Sequence, residues 1–259
     1  MLQNRISDWI KSYAKENNRK TLVVGISGGI DSAVVSTLCA MTKMPTIAVS
    51  MPINQIESQH DLSMDHGNWI ENKFNNVTHE VIDLDGVYEK FWLKTFNDYG
   101  SEHAFANTKS RLRMVTLHQI SGAKEGIVVG TGNKVEDFGV GFYTKYGDGG
   151  VDISPIADLM KSEVWQLGKD LGILQEIIDA PPTDGLWEDG RTDKDQLGGL
   201  SYEQMEKAMM LDNNKTIAEG SDVELLNKYR QIRKVNLHKM EPIPVFKNDG
   251  TTQTSDSQS

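Results

Sequence analysis

The sequence predicts an α/β chain built on a parallel, twisted sheet of about five strands, with helices covering both faces. Three observations predict it. Short continuous apolar runs, Leu22-Val23-Val24 and Ile127-Val128-Val129 among them, lie between stretches of helical period, as strands buried on both faces do. The runs alternate with those stretches along the chain, the order that gives parallel strands joined by crossover helices. The first run ends in Gly25-Ile26-Ser27-Gly28-Gly29-Ile30-Asp31-Ser32, a glycine turn leading straight into a helical pattern. A strand, a tight turn and a helix in that order make the sheet Rossmann-like.

The elements follow in order. Residues 2–17 carry the amphipathic spacing of a first helix, and 21–26 are the first strand. Residues 32–42 read as a helix, 46–51 as a second strand, 57–72 as a helix and 78–82 as a third strand. Helical patterns follow over 86–96 and 102–121, and 126–130 form a strongly apolar strand. The character then changes. Residues 139–152 carry five glycines and read as a loop with a function. Residues 158–172 are helical, 180–199 form a long Pro-, Gly- and Asp-rich loop, and helices cover 201–211 and 222–235. Residues 1–247 read as one domain, and 248–259, rich in Gly, Thr, Gln and Ser, as a disordered tail. No internal repeat is visible.

Composition narrows the function classes. The 259 residues are enough for one large α/β domain, and 38% hydrophobic with 25% charged residues is ordinary for a globular protein. No apolar run is long enough to span a bilayer, and the amphipathic N-terminus lacks the apolar stretch of a signal peptide. A single cysteine, Cys39, excludes an internal disulfide framework and a multi-cysteine zinc site. These features predict a cytoplasmic protein. The net charge of −10 argues against nucleic acid as a partner, which calls for a basic surface.

The glycine turn carries the most chemistry. Backbone N–H groups at a helix start face whatever binds there, and the helix dipole favours an anion. Asp31 adds a carboxylate at the same place, so phosphate accompanied by magnesium is the simplest pair of ligands. A P-loop is excluded, because no lysine follows the glycines. Gly25-x-Ser27-x-Gly29 matches a hydrolase nucleophile elbow, with Asp152 and His238 available in chain order to complete a triad. The S-G-G-x-D-S loop of ATP pyrophosphatases explains more. It uses the amides and the Ser27 and Ser32 hydroxyls for phosphate and Asp31 for magnesium. The hydrolase reading leaves Asp31 and Ser32 unexplained.

Gly130-Thr131-Gly132-Asn133-Lys134-Val135-Glu136 follows the 126–130 strand. Val135 stands where a dinucleotide fingerprint needs its third glycine, so a dehydrogenase site is disfavoured. In a parallel sheet this strand end lines the same crevice as the glycine turn. There Glu136 meets Asp31 and the two share a magnesium ion, which favours one or two carboxylates plus phosphate oxygens. Alone, Glu136 would be an acid in the first turn of a helix. Arg111 and Arg113 lie two residues apart on a helix, pointing roughly 200° apart, so only one is expected to face a ligand. Residues 142–152 set aromatics, Lys145, Asp148 and Asp152 on a glycine frame able to close over a reaction. The six histidines show no metal-ligand spacing, and Met205, Met209 and Met210 read as core filler.

Together these stretches resemble the ammonia-dependent NAD synthetases, of the ATP pyrophosphatase class. The resemblance is carried by Gly25–Ser32, 107–114, 130–136, 142–152, 155–164, Pro182-Thr183-Asp184-Gly185-Leu186-Trp187 and His238-Lys239. They stand in the family's order, to about Pro244. The resemblance implies that Gly25, Ile26, Ser27, Gly28, Gly29, Ile30, Asp31 and Ser32 bind ATP phosphates, with Thr131, Lys161 and Thr183 as further ATP contacts. It implies Asp31 and Glu136 as ligands of Mg2+. Arg111, Lys145, Asp152, His238 and Lys239 become contacts of nicotinic acid adenine dinucleotide (deamido-NAD), and Asp31, Glu136, Lys161 and Asp148 the catalytic set. It further implies a homodimer using ATP and deamido-NAD. Neither a glutaminase nor a nitrilase-like segment fits before Thr21 or after Val235, so the ammonia is expected to be free or to come from a separate partner. One departure is local: Glu136-Asp137-Phe138-Gly139-Val140-Gly141-Phe142 is one residue longer than in some members of the family.

Overall fold

A computed structural model of the chain describes residues 1–183, 185–187, 189–214 and 218–248. The expected disordered tail lies, from residue 249 onward, outside the described residues. No helix among the described residues is long and apolar enough to cross a membrane.

Helix α1 (Leu2–Glu16) leads into β1 (Thr21–Gly25), α2 (Ile30–Met41), β2 (Thr46–Ser50), α3 (Glu57–Lys73) and β3 (Val77–Val81). Helices α4 (Asp85–Tyr99) and α5 (Glu102–Ala123) follow, then β4 (Gly126–Val128). The strands form one parallel sheet in the order β3-β2-β1-β4. The sheet has four strands, where the sequence predicts about five. At the place of a fifth, Val129 makes an isolated parallel bridge to Ile153. Asp152 and Ile153 bond to the edge of β4, but the glycines just before them keep the segment from running on as a strand.

Side chains alternate along β1 into two cores. Leu22 and Val24 pack with α1, α2 and the helices beyond the glycine-rich loop, while Val23 faces Val49, Val128, Met114 and Leu117 on the other side. Period-two burial on both faces is why the strands read as unbroken apolar runs. Helix α5 starts at Ser101, whose hydroxyl accepts the Ala104 N–H.

Beyond β4 the chain forms a π-helix, Lys134–Val140, closed by Gly141 N–H donating to Glu136 O. A π-turn holds one more residue per hydrogen bond than an α-turn. Helices α6 (Lys161–Leu171), α7 (Gln175–Asp179), α8 (Asp193–Gln196), α9 (Tyr202–Asn213) and α10 (Ser221–Met240) complete the chain. Helices α7 and α8 lack a readable period because each spans little more than a turn. The π-helix, α9 and α10 enclose a third core around Val135, Met205, Met209, Leu226 and Tyr229.

Candidate active site

The loop after β1 is held by its own side chains. Ser32 Oγ donates to Gly29 O at 2.9 Å and accepts from Ser27 N–H at 3.1 Å, and Ser27 Oγ lies 3.2 Å from Ser32 Oγ. Gly28 has φ +86°, and an added Cβ would stand 2.9 Å from Gln59 O, Leu62 Cβ and Ser63 N on α3. Only glycine satisfies both demands. Ser63 Oγ donates to Ile26 O at 2.9 Å, so α3 anchors the loop a second time.

The neighbouring strand supplies the second half. Because β1 and β4 pair directly, their C-terminal ends open into one cleft. Asn133, fully buried, caps the π-helix by accepting the Val135 and Glu136 N–H groups, and its amide donates to Asp31 Oδ1 at 3.1 Å. Lys161, at the N-terminus of α6, places its ammonium 2.5 Å from Asp31 Oδ2 and 2.9 Å from Glu136 Oε1. The Lys161 side chain is only 3% exposed. The sequence reading brings Asp31 and Glu136 to one crevice, and the structure does so.

Electrostatics follow from this packing. Burial raises the Asp31 pKa, with Lys161 opposing it and the Glu136 charge adding to it. Burial also opposes ionisation of Glu136, but the Lys161 charge and the hydrogen bonds from Lys161 and Tyr202 win, and its pKa is lowered. Burial opposes the Lys161 charge, but the two carboxylates outweigh it and keep the ammonium protonated. Asp137, in the same cleft, is pushed well up by burial and by the Asp148, Glu136 and Asp31 charges. Two carboxylates against one ammonium leave a net negative, oxygen-only donor set, which suits a hard divalent ion. Among the described residues no group of three or more His, Cys, Asp or Glu side chains is arranged to hold a metal ion.

The cleft has a volume of about 1190 Å³, above the usual range for a single small ligand. Gly25–Ser32, Thr131, Glu136, Lys161 and Thr183 line it, as do Arg111, Lys145, Asp148, His238 and Lys239. Arg113 lines it too. The cleft wraps around α5: Arg111 Nε donates to Lys145 O on one side, and Arg113 Nε to Met51 O at the end of β2 on the other. Long side chains from opposed helix positions reach a single concave wall.

Asp152 is not part of that wall. Its Oδ2 accepts the Val128 N–H at 2.7 Å, so it holds the returning chain against the sheet. Asp148 lines the cleft, but its Oδ1 accepts from Ser110 Oγ and Thr144 N–H, pinning the glycine-rich loop to α5. That loop is also clasped to the end of α10: Tyr143 OH donates to Lys239 O, Lys239 Nζ to Tyr143 O, and Lys145 Nζ to His238 O. The hydrolase triad is not assembled. Ser27 sits with Ser32, Asp152 with Val128 N–H, and His238 Nδ1 against Val235 O.

Sequence reasoning misses Asn133, Tyr202 and Asp193. The hydroxyl of Tyr202 reaches Glu136 and Asp193. Asn133 has a local signal, an N-cap residue before an acid-bearing turn. Tyr202 has none, since it stands 66 residues from Glu136.

Comparison with known proteins agrees with this geometry. The family model of NAD synthase matches residues 2–243. The NH(3)-dependent NAD(+) synthetase of Saccharolobus solfataricus is 32% identical, over 98% of this chain and 91% of its own length. The enzyme of that name from Syntrophomonas wolfei is 36% identical over 93% and 94%. Among solved structures, the NMN synthetase of Francisella tularensis superposes with a TM-score of 0.83 at 29% identity, covering 95% of this chain and 97% of its own.

Proposed function

The chain belongs to the NAD synthase family, and from that premise we propose that it is an ammonia-dependent ligase converting deamido-NAD to NAD. ATP adenylates the nicotinate carboxylate with release of pyrophosphate. Ammonia then attacks the acyl carbon, and AMP leaves with the electron pair of the broken C–O bond. The observation that carries this reading is the meeting of Asp31, Glu136 and Lys161 beside the glycine turn.

The residues divide the work. Amides of the glycine turn and the Ser27 and Ser32 hydroxyls hold phosphate oxygens at the start of α2, where the helix dipole favours an anion. Lys161 lends a compact positive charge to the phosphates, as a lysine does best. Thr131 and Thr183 serve the ATP side of the cleft. Arg111, Lys145, His238 and Lys239 serve the acceptor side. Asp148 and the clasped glycine-rich loop keep water from the adenylate. Asp31 and Glu136 are the ligands for Mg2+, whose chemistry when bound is to neutralise charge developing between the α- and β-phosphates. Asp152 serves the acceptor side too: Oδ2 is held by the Val128 N–H, and Oδ1 of this exposed residue stays available.

The chain works as a homodimer in the cytoplasm on this reading. Support for the dimer is the number of exposed apolar side chains on α4, among them Val87, Phe91, Leu93, Phe96 and Tyr99. Support for the compartment is the buried, lone Cys39. Sedimentation at micromolar concentration tests the dimer, and a monomer would remove it.

A second reading is favoured by the Francisella likeness: the acceptor is nicotinic acid mononucleotide and the product NMN. The experiment is AMP release, with Mg2+, ATP and ammonia held constant, and deamido-NAD, the mononucleotide or neither as acceptor. Release that depends on deamido-NAD supports the first reading. A marked preference for the mononucleotide supports the second. Release indifferent to both would sink the two together.

A further inference from the structure

Tyr202 has no part in the chemistry above, yet it touches two of the groups that do. Its hydroxyl lies 2.5 Å from Glu136 Oε1, and its ring centroid is 4.8 Å from Lys161 Nζ. The ring is itself held, with Trp165 edge-on at 5.7 Å between centroids. Trp165 stands four residues after Lys161 on α6, on the same helix face. Tyr202 also follows the Ser201 cap of α9, whose capping box with Gln204 fixes the helix start. The tyrosine is therefore fixed at its ring and at its backbone.

The consequence falls on Glu136. The terminal torsion of a glutamate is soft, with no staggered wells to hold it. Here Oε1 receives hydrogen bonds from both Lys161 and Tyr202. Two donors on one oxygen set the rotation of the carboxylate and leave Oε2 as the oxygen for a cation. The same hydroxyl lies 2.7 Å from Asp193 Oδ2, so its one proton is divided between the two carboxylates and falls wholly to Glu136 when Asp193 is removed. Asp193 opens α8, inside the 180–199 segment that lines the cleft. Asp193, Tyr202 and Glu136 thus form one chain of oxygens from that segment to the site.

We propose that Tyr202 is a positioning residue: its hydroxyl fixes the rotation of Glu136 for a divalent ion and ties that setting to the segment carrying Asp193. The proposal rests on the reading of Asp31 and Glu136 as metal ligands. An outer partner of this kind commonly changes metal affinity by about 10–100-fold when removed.

The test uses Mn2+ as a paramagnetic probe, titrated into the full chain with ATP and no acceptor, so that no turnover is involved. Tyr202→Phe removes only the hydroxyl. It should weaken ATP-dependent Mn2+ binding by about tenfold, with metal-free ATP binding and the circular dichroism spectrum unchanged. Asp193→Ala, which leaves the Tyr202–Glu136 bond in place, should weaken it less. Unchanged Mn2+ affinity in Tyr202→Phe would overturn the proposal, as would an equal loss of metal-free ATP binding or a larger loss in Asp193→Ala. Wild-type protein that binds Mn2+ no better with ATP than without would instead overturn the metal reading of Asp31 and Glu136 beneath it.

Discussion

Lys161 Nζ meets Asp31 Oδ2 at 2.5 Å across 130 residues of chain. The contact joins the start of α2, after the first strand, to the start of α6, beyond the last. Neither helix would present its terminus here without the direct pairing of β1 and β4, so the sheet order fixes the ion pair.

Removing the lysine exposes what it balances. Lys161→Met leaves two carboxylates facing each other, their side chains 17% and 15% exposed, with no cation between them. The expected cost is about 3–5 kcal/mol of folding stability, read by urea unfolding. Added Mg2+ should stabilise the variant more than the wild type, because a divalent ion compensates the same charges. A variant as stable as wild type, or blind to Mg2+, would contradict the pair's role.

Gly28 and Gly29 should respond differently to the same change. Gly28→Ala forces a left-handed backbone on alanine, about 1–2 kcal/mol, and presses its Cβ to 2.9 Å from Gln59 O and Ser63 N on α3. Loss of both stability and ATP affinity is expected. Gly29→Ala meets only Ser27 Oγ, at 3.4 Å, and should cost well under ~1 kcal/mol. Urea unfolding and equilibrium ATP titration compare the two, and equal stability losses would refute the argument.

The clasp between the glycine-rich loop and α10 sets the local stability of that side of the cleft. Tyr143→Phe removes the hydroxyl's bond to Lys239 O while leaving Lys239 Nζ to bond Tyr143 O. Amides of residues 142–150 should exchange hydrogen faster by roughly 3–10-fold, matching about 1 kcal/mol for one lost bond. Exchange in β1 should not change. Uniform acceleration across the chain would mean global destabilisation and not a local clasp.

How much of this was legible depends on the range of the interaction. The glycine turn, its carboxylate and the matching edge after β4 are local signals, and parallel pairing brings such edges together by itself. The sheet has one strand fewer than expected because Ile153 adds one bridge where a strand would add several. Arg111 and Arg113 point to opposite sides of α5, as their spacing predicts, and the cleft curves around the helix so that both line it. Asp152 carried no local sign that its carboxylate would serve the Val128 N–H. The Tyr202–Glu136 bond depends on how α9 packs over the π-helix, and no spacing rule reports that.

Packed against α2, His66 makes the fold acid-sensitive. It is 1% exposed, stacks on Trp69 at 5.4 Å, and its Nε2 lies 2.8 Å from Ser36 Oγ. Its Nδ1 is buried without a hydrogen-bond partner. Burial first, and the nearby His79 second, lower its pKa to about 4 from 6.5. The sign follows from proton counts. Between those two values the unfolded chain binds a proton that the folded chain does not, so stability rises with pH across the window and is lost as pH falls through it. The loss from pH 7 to pH 4 is about 3 kcal/mol for this one group. Urea midpoints measured over that range should therefore drop steeply in the wild type. His66→Gln cannot titrate, and its midpoint should fall less over the same range. An identical slope in the two proteins would assign the acid sensitivity elsewhere.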